Sequence, residues 1–367
     1  MNSFEQQILD VIQDAFPLTE RPYAVLAEKL GSDETTVFDE VEKMRASGVI
    51  RRIGGVYDSK KLGFISRLCA GKVPASSLDF SEEPHAQTPM ESFATVVNDE
   101  PAITHNYIRS HEYNVWFTVI AENESAIQTV VDRVCAKTEL HDVHVLSATK
   151  KFKINTVMGA SASVDSGQLA VSRDCKKNDG ESDERCEVYF SEATRNVIAS
   201  EARQSTAGAL TEADRIRIRT ACGDIPHSLT PFKDWGVACD ELREDIAQKR
   251  MRRFGAILRH QDAGFPCNAM VCFRIVDCRR SEVRSGENVT AVQMAGSILA
   301  LNPHISHCYE RPAFEGFPYN LYAMMHAPSA ELLSRYIEDA TKSIDNDNYV
   351  VLNSLRELKK TSFGFFA

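Results

Sequence analysis

The chain has 367 residues, 43% hydrophobic and 26% charged, the composition of a soluble globular protein with room for two or three domains. A formal net charge of −10 argues against a general attraction to nucleic acid, no apolar run reaches the length of a membrane span, and Met1 leads into an amphipathic segment, so a cytoplasmic protein is expected. Ten cysteines without a Cys-x-x-Cys pair signal neither a zinc ribbon nor a redox dithiol. Cys267, Cys272 and Cys278, around one predicted strand, leave a metal or iron-sulfur role open.

Residues 1–60 read as a winged helix-turn-helix. Phe4, Ile8, Val11 and Ile12 recur at helical spacing, Pro17 and Pro22 bracket a turn, and a second helix over 23–30 closes at Gly31. Ser32 is expected to cap a third helix to about residue 46, and residues 49–57 read as a hairpin with Gly54-Gly55 at its tip. A DNA-reading third helix needs basic or amide side chains, whereas this one carries Asp33, Glu34, Asp39, Glu40 and Glu42 against Lys43 and Arg45. The basic residues come on and after the wing, at Arg51, Arg52, Lys60, Lys61, Arg67 and Lys72.

Residues 61–155 alternate as strand (64–73), helix (90–98), strand (103–111), strand (113–121), helix (125–137) and strand (143–154). That βαββαβ order is a ferredoxin-like sandwich. On the second strand His105, Tyr107 and Arg109 fall at i, i+2 and i+4, on one face of a sheet, and His111 continues the parity. A proton donor, a phenol and a fixed cation side by side suit an acidic ligand, although one such triplet alone is also what a solvated strand face looks like.

Residues 156–208 lose periodicity and read as a linker, with Tyr189-Phe190 as an aromatic pair and a short helix open at 192–203. The pattern then repeats. Thr230-Pro231-Phe232 echoes Arg21-Pro22-Tyr23, an acidic helix over 240–249 replaces the third helix, and Arg252-Arg253-Phe254-Gly255 matches Arg51-Arg52-Ile53-Gly54. His307, Tyr309 and Arg311 repeat the triplet, Asn320-Leu321-Tyr322 matches Asn114-Val115-Trp116, and Lys359-Lys360 is set against Lys150-Lys151. The fold expected is α+β: a tandem repeat of winged helix-turn-helix (1–60, degenerate at 209–260) and ferredoxin-like domain (61–155, 261–367), paired as an internal pseudo-dimer, with further homo-oligomerisation open.

The two-domain unit looks like the leucine-responsive (Lrp/AsnC) class of regulators. The strings at 48–54, 104–109, 252–265 and 307–312 are similar to the siroheme decarboxylases, and the chain resembles a fusion of their two related subunits. The resemblance implies loss of carbon dioxide from acetate arms of siroheme to give 12,18-didecarboxysiroheme, on a route to haem or haem d1. It needs no separate cofactor, the iron being part of the substrate, and involves neither DNA nor membrane.

On this reading His307 is the proton donor, with Tyr309 relaying, Arg311 gripping a carboxylate and His260 facing the same site. Arg252, Arg253 and Arg259 form a basic run for the acid arms, and His326, Asn320 and Tyr322 lie on the neighbouring strand. His105, Tyr107, Arg109, Arg52 and Trp116 make the second copy. The protein supplies no metal of its own, and His307 or His260 is open as an axial ligand to the substrate iron. Trp116, Tyr322, Phe314 and Phe317 either line a flat slot or belong to the core. A ligand-responsive regulator and a non-catalytic tetrapyrrole carrier are the competing readings.

Overall fold

The structure is a computed structural model, and it describes residues 2–74, 88–154, 210–258, 265–276, 281–282 and 288–366. The linker with its aromatic pair and open helix, Arg259, His260 and Cys278 lie outside the described residues. Three helices open the chain: α1 (Ser3–Ile12), α2 (Pro22–Leu30) and α3 (Glu34–Ala46). Asn2 and Glu5 form a capping box on α1, and Gly31 at φ 65° ends α2. The cap of α3 is Asp33 and not Ser32: its carboxylate accepts from the Thr36 amide at 2.9 Å, which places an anion at the positive end of the helix. The second half repeats the helices as α6 (Glu212–Ala221), α7 (Pro231–Trp235) and α8 (Cys239–Ala247), the middle one cut to five residues.

The wings depart from expectation. Residues 49–57 form no hairpin; β1 (Ile50–Tyr57) is one continuous strand that pairs antiparallel with β7 (Met251–Leu258) of the other half. Gly54 lies opposite Gly255 in this ribbon. A Cβ on Gly255 would come within 2.5 Å of the Ile12 carbonyl, and one on Gly54 would collide with the Gly223 carbonyl. The glycines therefore allow each strand to press on the helix end of the opposite half, a demand for close approach and not for a turn. Arg52 donates to the Gly223 carbonyl at 3.1 Å, and Arg253 donates to the Gln13 carbonyl. Tyr57 reaches across to buried Asp245 at 2.8 Å, where Arg217 and Arg250 also converge. All six helices and the ribbon share one core, from Ile8 and Leu26 to Phe232 and Phe254, closed by Phe365 near the C-terminus.

The remaining first-half elements are β2 (Ile65–Gly71), α4 (Pro89–Asp99), β3 (Ile103–Arg109), β4 (Val115–Ala121), α5 (Glu124–Thr138), β5 (Val143–Leu146) and β6 (Lys150–Ile154). Those of the second half are β8 (Cys267–Phe273), the short β9 (Ser281–Glu282) and β10 (Asn288–Val289), α9 (Ala291–Leu301), β11 (Ile305–Glu310), β12 (Leu321–Ala327), α10 (Ala330–Ser343) and β13 (Tyr349–Lys360). Nine strands join in the order β5-β2-β4-β3-β13-β8-β12-β11-β6. The single strand expected over 143–154 is two: β5 pairs within its own half, and β6 crosses to pair with β11. β13 does the same without a break, pairing with β8 up to Asn353 and with β3 from Ser354. Each half thus lends its last strand to the other's sheet.

Trp116 on β4 and Tyr322 on β12, far apart in strand order, have ring centroids 6.4 Å apart, so the sheet folds until its two ends face each other. Helices α4 and α5 bury one outer face, with Phe93, Phe117 and Val130, and α9 and α10 bury the other, with Phe273, Leu299 and Ile337. Between the inner faces lie Trp116, Met270, Phe317, Tyr322 and Leu352. The aromatics proposed for a slot are here packed core, with Phe317 and Tyr322 almost fully buried. Phe317 plugs this core, and Phe314 stacks on His144 of the first half at 4.0 Å.

Candidate functional site

The two triplets occupy equivalent places. Tyr107 pairs with Trp116 as Tyr309 pairs with Tyr322, and His105 pairs with Thr118 as His307 pairs with Met324. Both strands carry a register shift just before the histidine, at Ile103/His105 and Ile305/His307. The extra residue of each irregularity is a hydroxyl, Thr104 or Ser306, hydrogen-bonded at 2.9 Å to Nδ1 of its neighbouring histidine. With Nδ1 engaged, Nε2 is the nitrogen left to meet a ligand. In the second half Ser306 Oγ also lies 3.1 Å from His326 Nε2, which links His326 to His307 through one hydroxyl.

The arginines of the triplets reach across the molecule. Arg311 donates to the Leu146 carbonyl at 2.8 Å, and Arg109 to the Leu352 carbonyl at 3.2 Å and Ser354 Oγ at 3.0 Å. Each guanidinium lies over the tyrosine of its own triplet, at 5.1 Å for Arg109 and 5.0 Å for Arg311. Burial lowers both, Arg109 to about 10, and the Nε of each has no hydrogen-bond partner. Both guanidiniums are enclosed beside their tyrosines, with no carboxylate on either among the described residues.

The histidines keep some solvent contact although protein surrounds them. Burial, followed by Lys360, His307 and Arg51, pushes His105 down to about 3; burial, followed by Arg252, Lys360, Lys151 and Lys153, pushes His307 down to about 4. His307 is the expected proton donor; burial first, and then the surrounding cations, hold its ring well below the usual imidazole range, so that it rests neutral at pH 7. Tyr309 is raised by burial and so retains its phenolic proton.

The wing arginines divide by parity. Arg51 and Arg252, the first of each pair, approach the histidines: Arg51 pairs with Glu357, and Arg252 lies 3.3 Å from Asp58. Arg52 and Arg253, the second of each pair and both expected at the substrate, instead cap helix ends of the opposite half, as described above. Asn320 is likewise drawn away, because its amide exchanges hydrogen bonds with both backbone groups of Ile275, as Asn114 does with Val73. His111 lies beyond β3 in a turn, where its Nδ1 accepts from the Tyr113 amide at 3.0 Å, so the strand presents three polar groups and not four.

Sequence reasoning missed the cations and acid brought by the exchanged strands. Lys151 pairs opposite Tyr309, and Glu357 pairs opposite Tyr107. The match of Lys359-Lys360 to Lys150-Lys151 is therefore out of register: Lys359, opposite Asn106, corresponds to Lys153, opposite Cys308. Their ammonium groups make matching bonds, Lys153 to the Asn302 carbonyl and Lys359 to the Asn98 carbonyl, each at 2.6 Å. Lys360, lowered by burial to about 8, lies close enough to depress both His105 and His307. Of the three cysteines considered as a cluster, Cys267 and Cys272 sit at separated positions of β8, and no group of three metal-binding side chains occurs among the described residues.

The geometry agrees with what the chain matches. Residues 5–51 match the siroheme decarboxylase NirDL-like HTH domain, and residues 61–153 and 262–359 match the AsnC-like ligand binding domain twice. A siroheme decarboxylase of Hydrogenobacter thermophilus is 28% identical over all of this chain and 96% of its own length. The siroheme decarboxylase alpha subunit of Desulfovibrio desulfuricans is 44% identical over 42% of this chain and 82% of its own length. Among solved structures, the siroheme decarboxylase NirDL superposes with a TM-score of 0.61 at 25% identity, covering 100% of this chain and 95% of its own, and it has also been solved in complex with an iron-uroporphyrin III analogue. Two ligand-binding domains, a helix-turn-helix segment of the decarboxylase type and a 44% identical subunit place the chain: it belongs to the siroheme decarboxylase family.

Proposed function

We propose that this chain is a carboxy-lyase that removes carbon dioxide from acetate side chains of siroheme, giving 12,18-didecarboxysiroheme for haem or haem d1 formation. The observation that carries the reading is the pair of His-Tyr-Arg triplets, each completed by cations from both halves, within a protein of net charge −10. A polycarboxylate finds here a local cationic interior that the acidic surface does not provide. The relatives named above act on siroheme, an iron macrocycle with acid arms, and these residues suit it.

In the reaction the bond between the arm's methylene carbon and its carboxylate breaks, carbon dioxide leaves, and the electron pair remaining on carbon is delocalised by the macrocycle. A proton then completes a methyl group. Arg252 and Lys151 hold acid arms near His307, and their neutralisation by the substrate raises the imidazole so that it can carry that proton. Tyr309, kept protonated, is within the same triplet and can pass a proton onward. Arg311 keeps Tyr309 in place from the far side. No further cofactor is required, because the delocalising group and the iron belong to the substrate. We place the protein in the cytoplasm as a binder of iron tetrapyrroles and not of DNA; no helix among the described residues is long and apolar enough to cross a membrane.

The test is anaerobic incubation of the purified chain with siroheme, following carbon dioxide release and the mass of the product. Loss of two carboxyl groups is expected. Stable binding of siroheme without carbon dioxide release would leave a carrier, and a salt-dependent footprint on DNA would point to a regulator.

A further inference from the structure

The exchanged strands make the two triplets chemically different. At the first, β13 places Glu357 opposite Tyr107, where its carboxylate pairs with Arg51 and interacts with the Tyr107 hydroxyl. At the second, β6 places Lys151 at the corresponding position opposite Tyr309. Arg252, the counterpart of Arg51, has Asp58 at 3.3 Å, and Lys151 adds its charge near His307, while Lys153 pairs with the outward Cys308 and bonds the Asn302 carbonyl. Lys360, opposite His105 in the sheet, acts electrostatically on both histidines. The position of His326, two residues beyond the partner of His307, is taken in the first half by Ile120, so only the second triplet has the Ser306–His326 connection.

We infer that Glu357 is a specificity-determining residue: its carboxylate occupies, on Arg51 and Tyr107, the place that a substrate carboxylate takes at the second triplet, and it directs acid arms to His307. This rests on the decarboxylase reading for its substrate. Both wing arginines meet a protein carboxylate, Arg51 with Glu357 and Arg252 with Asp58, but only Glu357 stands at the strand position opposite the triplet tyrosine, where it repels a second carboxylate and where the second triplet has the attraction of Lys151.

Two measurements test it. The first is titration of the Soret band with iron-uroporphyrin III, which needs no turnover. Glu357→Gln keeps the shape and removes the charge, and affinity should rise at least about tenfold, an increase that disappears when Arg51→Ala is added. The second is carbon dioxide release from siroheme in a His307→Ala background. Adding Glu357→Gln should raise the residual rate at least about tenfold, and adding His105→Ala should remove that gain. Unchanged affinity in Glu357→Gln, with circular dichroism matching the parent chain, overturns the proposal, as does a gain that survives His105→Ala. A wild-type chain that binds tetrapyrrole without releasing carbon dioxide sinks the decarboxylase reading alone, and the titration still decides the role of Glu357.

Discussion

His105 and His307 follow register shifts of the same kind, each with a hydroxyl 2.9 Å from Nδ1, yet the strand lent by the opposite half sets Glu357 beside the first triplet and Lys151 beside the second. Duplication preserved the backbone and the three residues that face inward; divergence went into the partner strand. The chemical difference between the triplets is thus carried by residues that belong, in sequence, to the other half. Neither triplet would be complete in a separated half, because Lys151 comes from the first half to His307 and Lys360 from the second to His105.

The largest expected effect separates the two histidines. His307→Ala should lower turnover by about 10² or more while the coloured substrate still binds, as removal of a general acid does. His105→Ala should cost much less. If His105→Ala abolishes turnover and His307→Ala spares it, the active half has been misassigned; equal partial losses would mean two working sites. Single-turnover rates on matched preparations make the comparison.

The inward triplets could be read from sequence because strand parity puts i, i+2 and i+4 on one face whatever the strand pairs with. The helices were legible for a similar reason, since capping and apolar spacing act within a few residues. The pairing of β1 with β7, of β6 with β11 and of β13 with β3 was not legible, because it joins residues far apart along the chain that have no local periodicity in common. Gly54 shows the consequence. Its neighbour Gly55 suggested a hairpin tip, and the actual demand comes from the helix end at Gly223, which local pattern cannot reveal. The error over Arg52 and Arg253 has the same source: two adjacent arginines point to opposite sides of a strand, and which one meets the histidine depends on what the ribbon packs against.

A smaller effect tests the arginines as ties between halves. Arg311→Ala leaves the Leu146 carbonyl without its donor, and Arg109→Ala does the same to Leu352 and removes the bond to Ser354. Each should destabilise the chain by about 1–3 kcal/mol in urea unfolding, with Arg109→Ala at the upper end because its side chain makes more bonds and is more deeply buried. An Arg311→Ala variant with unchanged stability and weakened tetrapyrrole binding would show a carboxylate clamp and not a structural tie.

The smallest effect is the response of stability to pH, and it compares the triplets without any chemistry. His105 and His326 are pushed down to about 3 and His307 to about 4, all by burial first, while in the unfolded chain each takes up its proton near the ordinary value of about 6.5. Between about pH 6.5 and pH 4 the unfolded state therefore binds more protons than the folded one, so stability is fully present above about pH 7 and falls as the pH drops through that window. Saturation with iron-uroporphyrin III should flatten the fall, because its carboxylates answer Arg252 and Lys151 and let His307 accept a proton in the folded state. That flattening should vanish in His307→Gln and persist in His105→Gln, whose surroundings already contain Glu357. Urea midpoints at pH 7.5 and pH 5, with and without the ligand, measure all four slopes. If the two variants lose the flattening equally, the polyanion reaches both histidines alike and the electrostatic distinction between the triplets fails.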